Sequence, residues 1–147
     1  MVMLFLYFLW LVEKSRVTAA IKIIDEDDSL GCFSANQFAI KSISGIRGTI
    51  GGNPGENLTP IDIVESVSAY GFWLKEKFKN ESLKVVIGRD ARLSGEMVEN
   101  LCIGTLQSLG INIINLGLST TPTVEFAVPK EKAQGGIILT ASHIPKQ

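Results

Sequence analysis

A chain of 147 residues and 16.0 kDa has the length of one domain and enough sequence to bury a hydrophobic core. Fourteen basic against fifteen acidic residues give a net charge of -1, without the basic excess that would hold a phosphate backbone by bulk electrostatics, so nucleic acid is not expected as a partner. Two cysteines, Cys32 and Cys102, and one histidine, His143, are too few for a disulfide scaffold or a Cys/His zinc site, and a reducing, cytoplasmic setting fits best.

The mean hydropathy of +0.26 is raised by the first twelve residues, Met1 to Val12, all of them apolar. As a helix they would rise about 18 Å, short of the roughly 30 Å of a bilayer core, so a membrane anchor through residues 1–12 is the minor reading. A secretory leader carries its positive charges ahead of the apolar run, whereas Lys14 and Arg16 follow it. Asp25-Glu26-Asp27-Asp28-Ser29 then reads as a solvated connector. Residues 1–37 are therefore expected to form an extension outside a folded domain at 38–147.

Phe38 to Ser44 alternates apolar and polar residues and runs into a glycine-rich loop, which predicts a strand entering a turn. Thr59 as N-cap, Pro60 at the first helical position and Asp62 two residues later predict a helix to about Lys79, with Ile61, Val64, Gly71, Leu74 and Phe78 on its apolar face. Lys84 to Ile87 is a short β-branched run suited to a strand buried on both faces. A second helix is expected from a Ser94 cap to Gly110, with Met97, Leu101, Thr105 and Leu109 on one face and Val98, Cys102 and Leu106 beside them. Ile111 to Leu118, Pro122 to Val128 and Gly136 to Thr140 follow as strand, short helix and strand. The order β-α-β-α-β-α-β predicts an α/β fold, a three-layer α/β/α domain around a mostly parallel sheet, with functional loops at the carboxyl ends of the strands.

Three such loops carry candidate chemistry: Gly45-Ile46-Arg47-Gly48, Gly88-Arg89-Asp90-Ala91-Arg92, and Thr140-Ala141-Ser142-His143-Ile144-Pro145. On one sheet edge, Arg47, Arg89, Arg92 and Ser142 would converge on an anionic ligand, phosphate being the first choice. The plainer alternative for the second loop pairs Asp90 with Arg92 at the surface and leaves Arg89 solvated. Neither common nucleotide signature is present: G-x-x-x-x-G-K-[ST] is absent, and no two glycines of the Gly45 loop stand two apart as G-x-G-x-x-G requires. Ser142 beside His143 is not a hydrolase triad, because adjacent residues of an extended segment point to opposite sides and no G-x-S-x-G elbow surrounds the serine.

In order and spacing, Ser44-Gly45-Ile46-Arg47-Gly48-Thr49, Gly88-Arg89-Asp90-Ala91-Arg92-Leu93-Ser94-Gly95, Thr121-Pro122-Thr123 and Gly135-Gly136-Ile137-Ile138-Leu139-Thr140-Ala141-Ser142-His143-Ile144-Pro145 resemble the first domain of the α-D-phosphohexomutase family, nearest to its bacterial phosphoglucosamine mutase branch. The resemblance implies an isomerase that interconverts sugar 6-phosphate and sugar 1-phosphate by intramolecular phosphotransfer. Ser142 would carry the phosphoryl group, with a sugar bisphosphate as activator and intermediate. His143 matches the family's catalytic-loop histidine beside the serine, and Arg47 matches the arginine of its G-I-R-G loop, implied to assist proton movement at the reacting hydroxyl; Gly45, Gly48, Arg89, Asp90 and Arg92 would support the loops. The implied cofactor is Mg²⁺ on the phosphoryl oxygens of Ser142, and the implied partner is a phosphorylated hexose or hexosamine.

Two departures stand out: Ile144 replaces the family's asparagine after the histidine, and Ser44 replaces its aspartate before G-I-R-G. The sequence stops at Gln147, ahead of the family's Asp-Gly-Asp magnesium loop. It therefore reads as a first domain cut just after the phosphoserine loop, inactive alone, whose partners are the remaining domains of the same polypeptide. Phosphomannomutase or phosphoglucomutase activity is the alternative within the family. A non-catalytic α/β remnant that binds phosphate or a partner is the alternative outside it.

Overall fold

The structure is a computed structural model, and it describes residues 5–6, 40–42, 45–54, 57–79 and 82–140. Its strands are β1 (Phe5–Leu6), β2 (Ile40–Ser42), β3 (Gly45–Arg47), β4 (Lys84–Arg89), β5 (Asn112–Leu118) and β6 (Gly135–Thr140). Its helices are α1 (Pro60–Lys77), α2 (Gly95–Ser108) and α3 (Thr121–Lys130).

The main sheet has the order β1-β6-β4-β5. Strand β4 is central and runs parallel to both β5 and β6, with Val85 opposite Ile113 on one side and Gly135 on the other. Successive side chains of a strand face opposite ways, and the burial pattern follows that alternation. Val85, Ile87, Ile137 and Leu139 join α1 and α2 in one core cluster, while Val86 and Ile138 meet Val124, Ala127 and Val128 of α3 on the other face. The result is the expected α/β/α sandwich, with β4 and β6 buried on both faces. Among the described residues no helix is long and apolar enough to cross a membrane.

Helix α1 starts as its sequence dictates. The Thr59 side chain accepts from the Asp62 backbone N–H, the Asp62 carboxylate accepts from the Thr59 N–H at 2.9 Å, and Pro60 occupies the first turn. The buried stripe is Ile63, Val67, Tyr70, Gly71 and Leu74; Gly71 and Leu74 of the expected face are in it and Phe78 packs against the core, whereas Ile61 and Val64 are exposed. In its first two turns the helix turns Ile63 and Val67 inward in place of Ile61 and Val64, and at the shared Gly71 it lies close to the end of α2, where a Cβ would stand 2.6 Å from Leu109 Cδ1. Helix α2 buries Val98, Glu99, Cys102 and Leu106. Ser94 stands at its N-cap but makes no side-chain cap bond, and Gly110 leaves the helix at φ 72, the left-handed conformation glycine adopts without strain.

The first expected strand is displaced. Ile40–Ser42 pairs antiparallel with Gly45–Arg47 as a separate two-stranded ribbon, because the nearest partner closes the shortest loop. Ile46 anchors this ribbon in the same cluster as Leu139. The edge of the main sheet is taken instead by two residues of the N-terminal apolar run, Phe5 opposite Thr140 and Leu6 opposite Leu139.

Candidate functional site

Three strand ends meet at the carboxyl edge of the sheet. The Asp90 backbone N–H donates to the Leu139 carbonyl at 2.9 Å, and the Ser119 N–H donates to the Arg89 carbonyl at 2.9 Å. This close approach depends on Gly88, where a Cβ would stand 2.1 Å from Ser119 Oγ and 2.8 Å from Val124 Cγ2.

Arg89 is the last residue of β4, and its guanidinium turns toward α2. Its Nε donates to Glu99 Oε2 at 3.0 Å, and Nη2 lies 3.9 Å from Glu96 Oε2. The Arg89 and Glu99 side chains are only 18% and 7% exposed, so this pair is far better shielded than an ordinary surface ion pair. Glu99 Oε1 has no hydrogen-bond partner among the described residues. Arg89 is thus paired with carboxylates of α2 rather than left solvated at the surface.

Asp90 gathers the adjoining loop. Its Oδ1 accepts from the Arg92 N–H at 3.2 Å, and its Oδ2 accepts from Arg92 Nε at 3.0 Å and from the Thr140 hydroxyl at 3.0 Å. The expected Asp90–Arg92 pair is therefore present, and it extends to the end of β6. Gly95 closes the turn, with its N–H donating to the Arg92 carbonyl at 3.0 Å; a Cβ there would sit 3.3 Å from the Asp90 carbonyl oxygen.

Gly45 and Arg47 lie in β3, and Gly48 follows with Leu58 Cβ 2.8 Å from where its own Cβ would be. Ser142 and His143 fall outside the described residues, two and three positions after Thr140. Among the described residues the structure thus joins Arg89, Asp90 and Arg92 to Thr140 and Glu99. The motifs had given Thr140 and Glu99 no role. Glu99 carried a signal nonetheless: it is a carboxylate between Val98 and Cys102 on an apolar stripe, where it needs a cation to be buried.

Behind the site, Gly135 and Gly136 make room for side chains from both helical layers. A Cβ on Gly135 would come within 1.9 Å of the Tyr70 hydroxyl oxygen, and one on Gly136 within 2.9 Å of Val128 Cγ2. Burial raises the Tyr70 phenol, an effect offset in part by a backbone hydrogen bond from Gly136.

With this arrangement established, sequence comparison decides the family. The model of the phosphoglucomutase/phosphomannomutase α/β/α domain I matches residues 40–147. The chain belongs to that family. Its relatives include the phosphoglucosamine mutase of Streptococcus gordonii, 39% identical over 94 residues, which are 64% of this chain and 21% of the relative. The phosphoglucosamine mutase of Helicobacter acinonychis and a phosphoglucomutase/phosphomannomutase of Thermococcus kodakarensis are each 38% identical over 102 residues, 68% of this chain and 22% of the relative. The chain thus spans about a fifth of the length of these relatives.

No group of three or more His, Cys, Asp or Glu side chains that could hold a metal ion occurs among the described residues of this phosphohexomutase domain. The Asp90 carboxylate is already engaged by Arg92 and Thr140. These residues alone do not fit a Mg²⁺ cage.

Proposed function

We propose that this chain is the phosphoserine-bearing domain of a phosphohexose mutase, with Ser142 as the phosphoryl carrier. The observation that supports the reading is the joining of the β4 and β6 ends through Asp90 and Thr140: it lies at the carboxyl edge of the sheet, where ligands bind in open α/β folds, and Ser142 follows Thr140 by two positions in the sequence.

In the proposed reaction the bond between phosphorus and Ser142 Oγ breaks as a sugar hydroxyl oxygen bonds to phosphorus. The hydroxyl proton leaves with the help of Arg47, the role the family resemblance implies for it, with His143 beside the carrier serine. The bisphosphate then returns its other phosphoryl group to Ser142, so that a 6-phosphate becomes a 1-phosphate and the serine is recharged. Such transfers depend on positioning and on electrostatic stabilisation of the phosphoryl oxygens.

Charge near the β4 end bears on the second requirement. Arg89 and Arg92 face Glu96, Glu99 and Asp90, three carboxylates against two guanidinium groups. A phosphoserine adds about two further negative charges. Neutralisation must therefore come from other groups, which supports Mg²⁺ on the phosphoryl oxygens, with its remaining ligands supplied from outside the described residues. The partners in this reading are the further domains that complete the relatives.

Glucosamine phosphate is placed first as substrate on the names of the Streptococcus and Helicobacter relatives. Glucose and mannose phosphates come second, on the name of the Thermococcus relative. The carrier assignment is tested by grafting residues 40–147 into the Streptococcus gordonii relative in place of its own segment. The graft is expected to convert glucosamine 6-phosphate, and Ser142→Ala in it to abolish turnover and phosphoserine together. A graft equally active after Ser142→Ala would refute the assignment.

A further inference from the structure

We propose that the outer edge of β6 is a strand-docking surface and that Phe5–Leu6 fill it in cis, so that the apolar N-terminal run supplies a guard strand for the sheet. The two long strands that flank β4 differ in how they meet a further strand. Strand β5 has no fully buried position, and its Gly117 stands at φ 63 with its N–H donating to Asn115 Oδ1 at 2.7 Å. Such kinks and local bonds blunt an edge against further pairing. Strand β6 has none of these devices. Its sequence Gly-Gly-Ile-Ile-Leu-Thr carries no charge and no proline, and Gly135 to Leu139 are all buried. A bare edge there would leave backbone N–H and C=O groups unpaired beside the core, open to any strand that fits.

The hydrogen bonds of β6 define what its outer edge offers. The Leu139 carbonyl accepts from the Asp90 N–H at 2.9 Å, so Leu139 turns its polar backbone groups toward β4. Alternation along a strand then turns those of Ile138 and Thr140 to the opposite edge. Phe5 stands opposite Thr140, and Leu6 opposite Leu139, in antiparallel register. Phe5 and Thr140 are therefore the pair that exchanges N–H and C=O bonds, and the N–H of Leu6 faces away from β6. Strand β1 also lies against β3, whose Ile46 shares a core cluster with Leu139. Phe5 and Leu6 belong to a run in which residues 1–12 are all apolar, a composition suited to the margin of a core.

The test is amide hydrogen exchange at Leu139 and Thr140 in the full 147-residue chain, with wild type, Phe5→Pro and Leu6→Pro compared. Proline has no N–H, so Phe5→Pro deletes a ladder bond to Thr140, whereas Leu6→Pro deletes none toward β6. In the wild type the Thr140 amide is expected to exchange at least about tenfold more slowly than in a free peptide, at a rate independent of protein concentration. Phe5→Pro should raise that rate about tenfold and leave Leu139, which is bonded to β4, unchanged. Leu6→Pro should leave both amides near their wild-type rates. Free-peptide exchange of Thr140 in the wild type, or equal rates in the two proline variants, would overturn the proposal. Protection of Thr140 that grows with protein concentration would overturn it as well, because the edge would then be filled by a second copy of the chain. Leu139 reports in each sample that the parallel sheet is folded, and the wild-type measurement decides even if a variant fails to fold.

Discussion

Arg89 Nε and Glu99 Oε2 meet at 3.0 Å between the end of β4 and the second turn of α2. The pair turns the arginine of the Gly88-Arg89-Asp90 loop into a support for that loop. Because both side chains are largely shielded from water, removing one leaves the other uncompensated, a situation that costs about 3–5 kcal/mol. Arg89→Met is therefore expected to lower unfolding stability by about that amount in urea. The double variant Arg89→Met with Glu99→Leu should recover most of it. A loss below about 1 kcal/mol in the single variant would mean that water reaches the pair.

Gly135 and Tyr70 should be coupled. Gly135→Ala places a methyl group against the Tyr70 hydroxyl, an overpacking expected to cost about 1–3 kcal/mol. Once Tyr70→Phe removes that oxygen, the nearest ring atom would stand 3.1 Å away, so alanine at 135 should be tolerated much better. A double-mutant cycle with no interaction energy would show that the strand shifts to make room.

Stability should fall in alkali through Cys102. Burial first and the charge on Glu99 second push this thiol from 9.0 up to about 12. Between those values the unfolded chain loses the proton that the folded chain keeps, so stability is fully present below pH 9 and declines as pH rises toward 12, by up to about 1.4 kcal/mol per pH unit. The buried Tyr70 phenol acts in the same direction at the upper end. Urea titrations from pH 7 to 11 should give a steeper decline for wild type than for Cys102→Ala. Parallel curves would show that the thiol ionises as readily in the fold as outside it.

The start of α1 offers a local test. Thr59→Ala removes the hydroxyl that accepts from the Asp62 N–H and is expected to cost about 1 kcal/mol, within a range of about 0.5–2. Thr59→Ser should cost much less, and equal losses would assign the effect to packing of the buried threonine.

What the sequence disclosed follows the range of the forces involved. Thr59, Pro60 and Asp62 announce a helix start because a capping box is satisfied within four residues. The short apolar runs of β4 and β6, separated by helical patterns, were enough to expect a parallel sheet between two helical layers. The second half of the inward face of α1 was legible at Gly71, Leu74 and Phe78, but its first two turns were not, because Ile61-Val64 and Ile63-Val67 are both apolar at helical spacing. The placement of Ile40–Ser42 in a ribbon, and of Phe5–Leu6 on the sheet edge, depends on competition between partners that no periodicity encodes. At the site, the loop motifs identified Arg89, Asp90 and Arg92. Their partners Glu99 and Thr140 come from other elements and appear only once the strands are side by side.

The order of the strands also sets an order of assembly. Asn112 meets Leu83 across 29 residues of chain, whereas Gln134 meets Lys84, and Thr140 meets Asp90, across 50. The extra loop closure costs only about 0.5 kcal/mol, but it leaves β4 with one neighbour until the more distant strand arrives. Contacts of long sequence separation slow folding. The pairing of β4 with β5 should therefore precede that with β6, and a half-built sheet would expose one long edge of β4. The loop edge proposed for phosphoryl transfer is then among the last parts of the domain to take shape, so that completing the sheet and forming that edge become a single event.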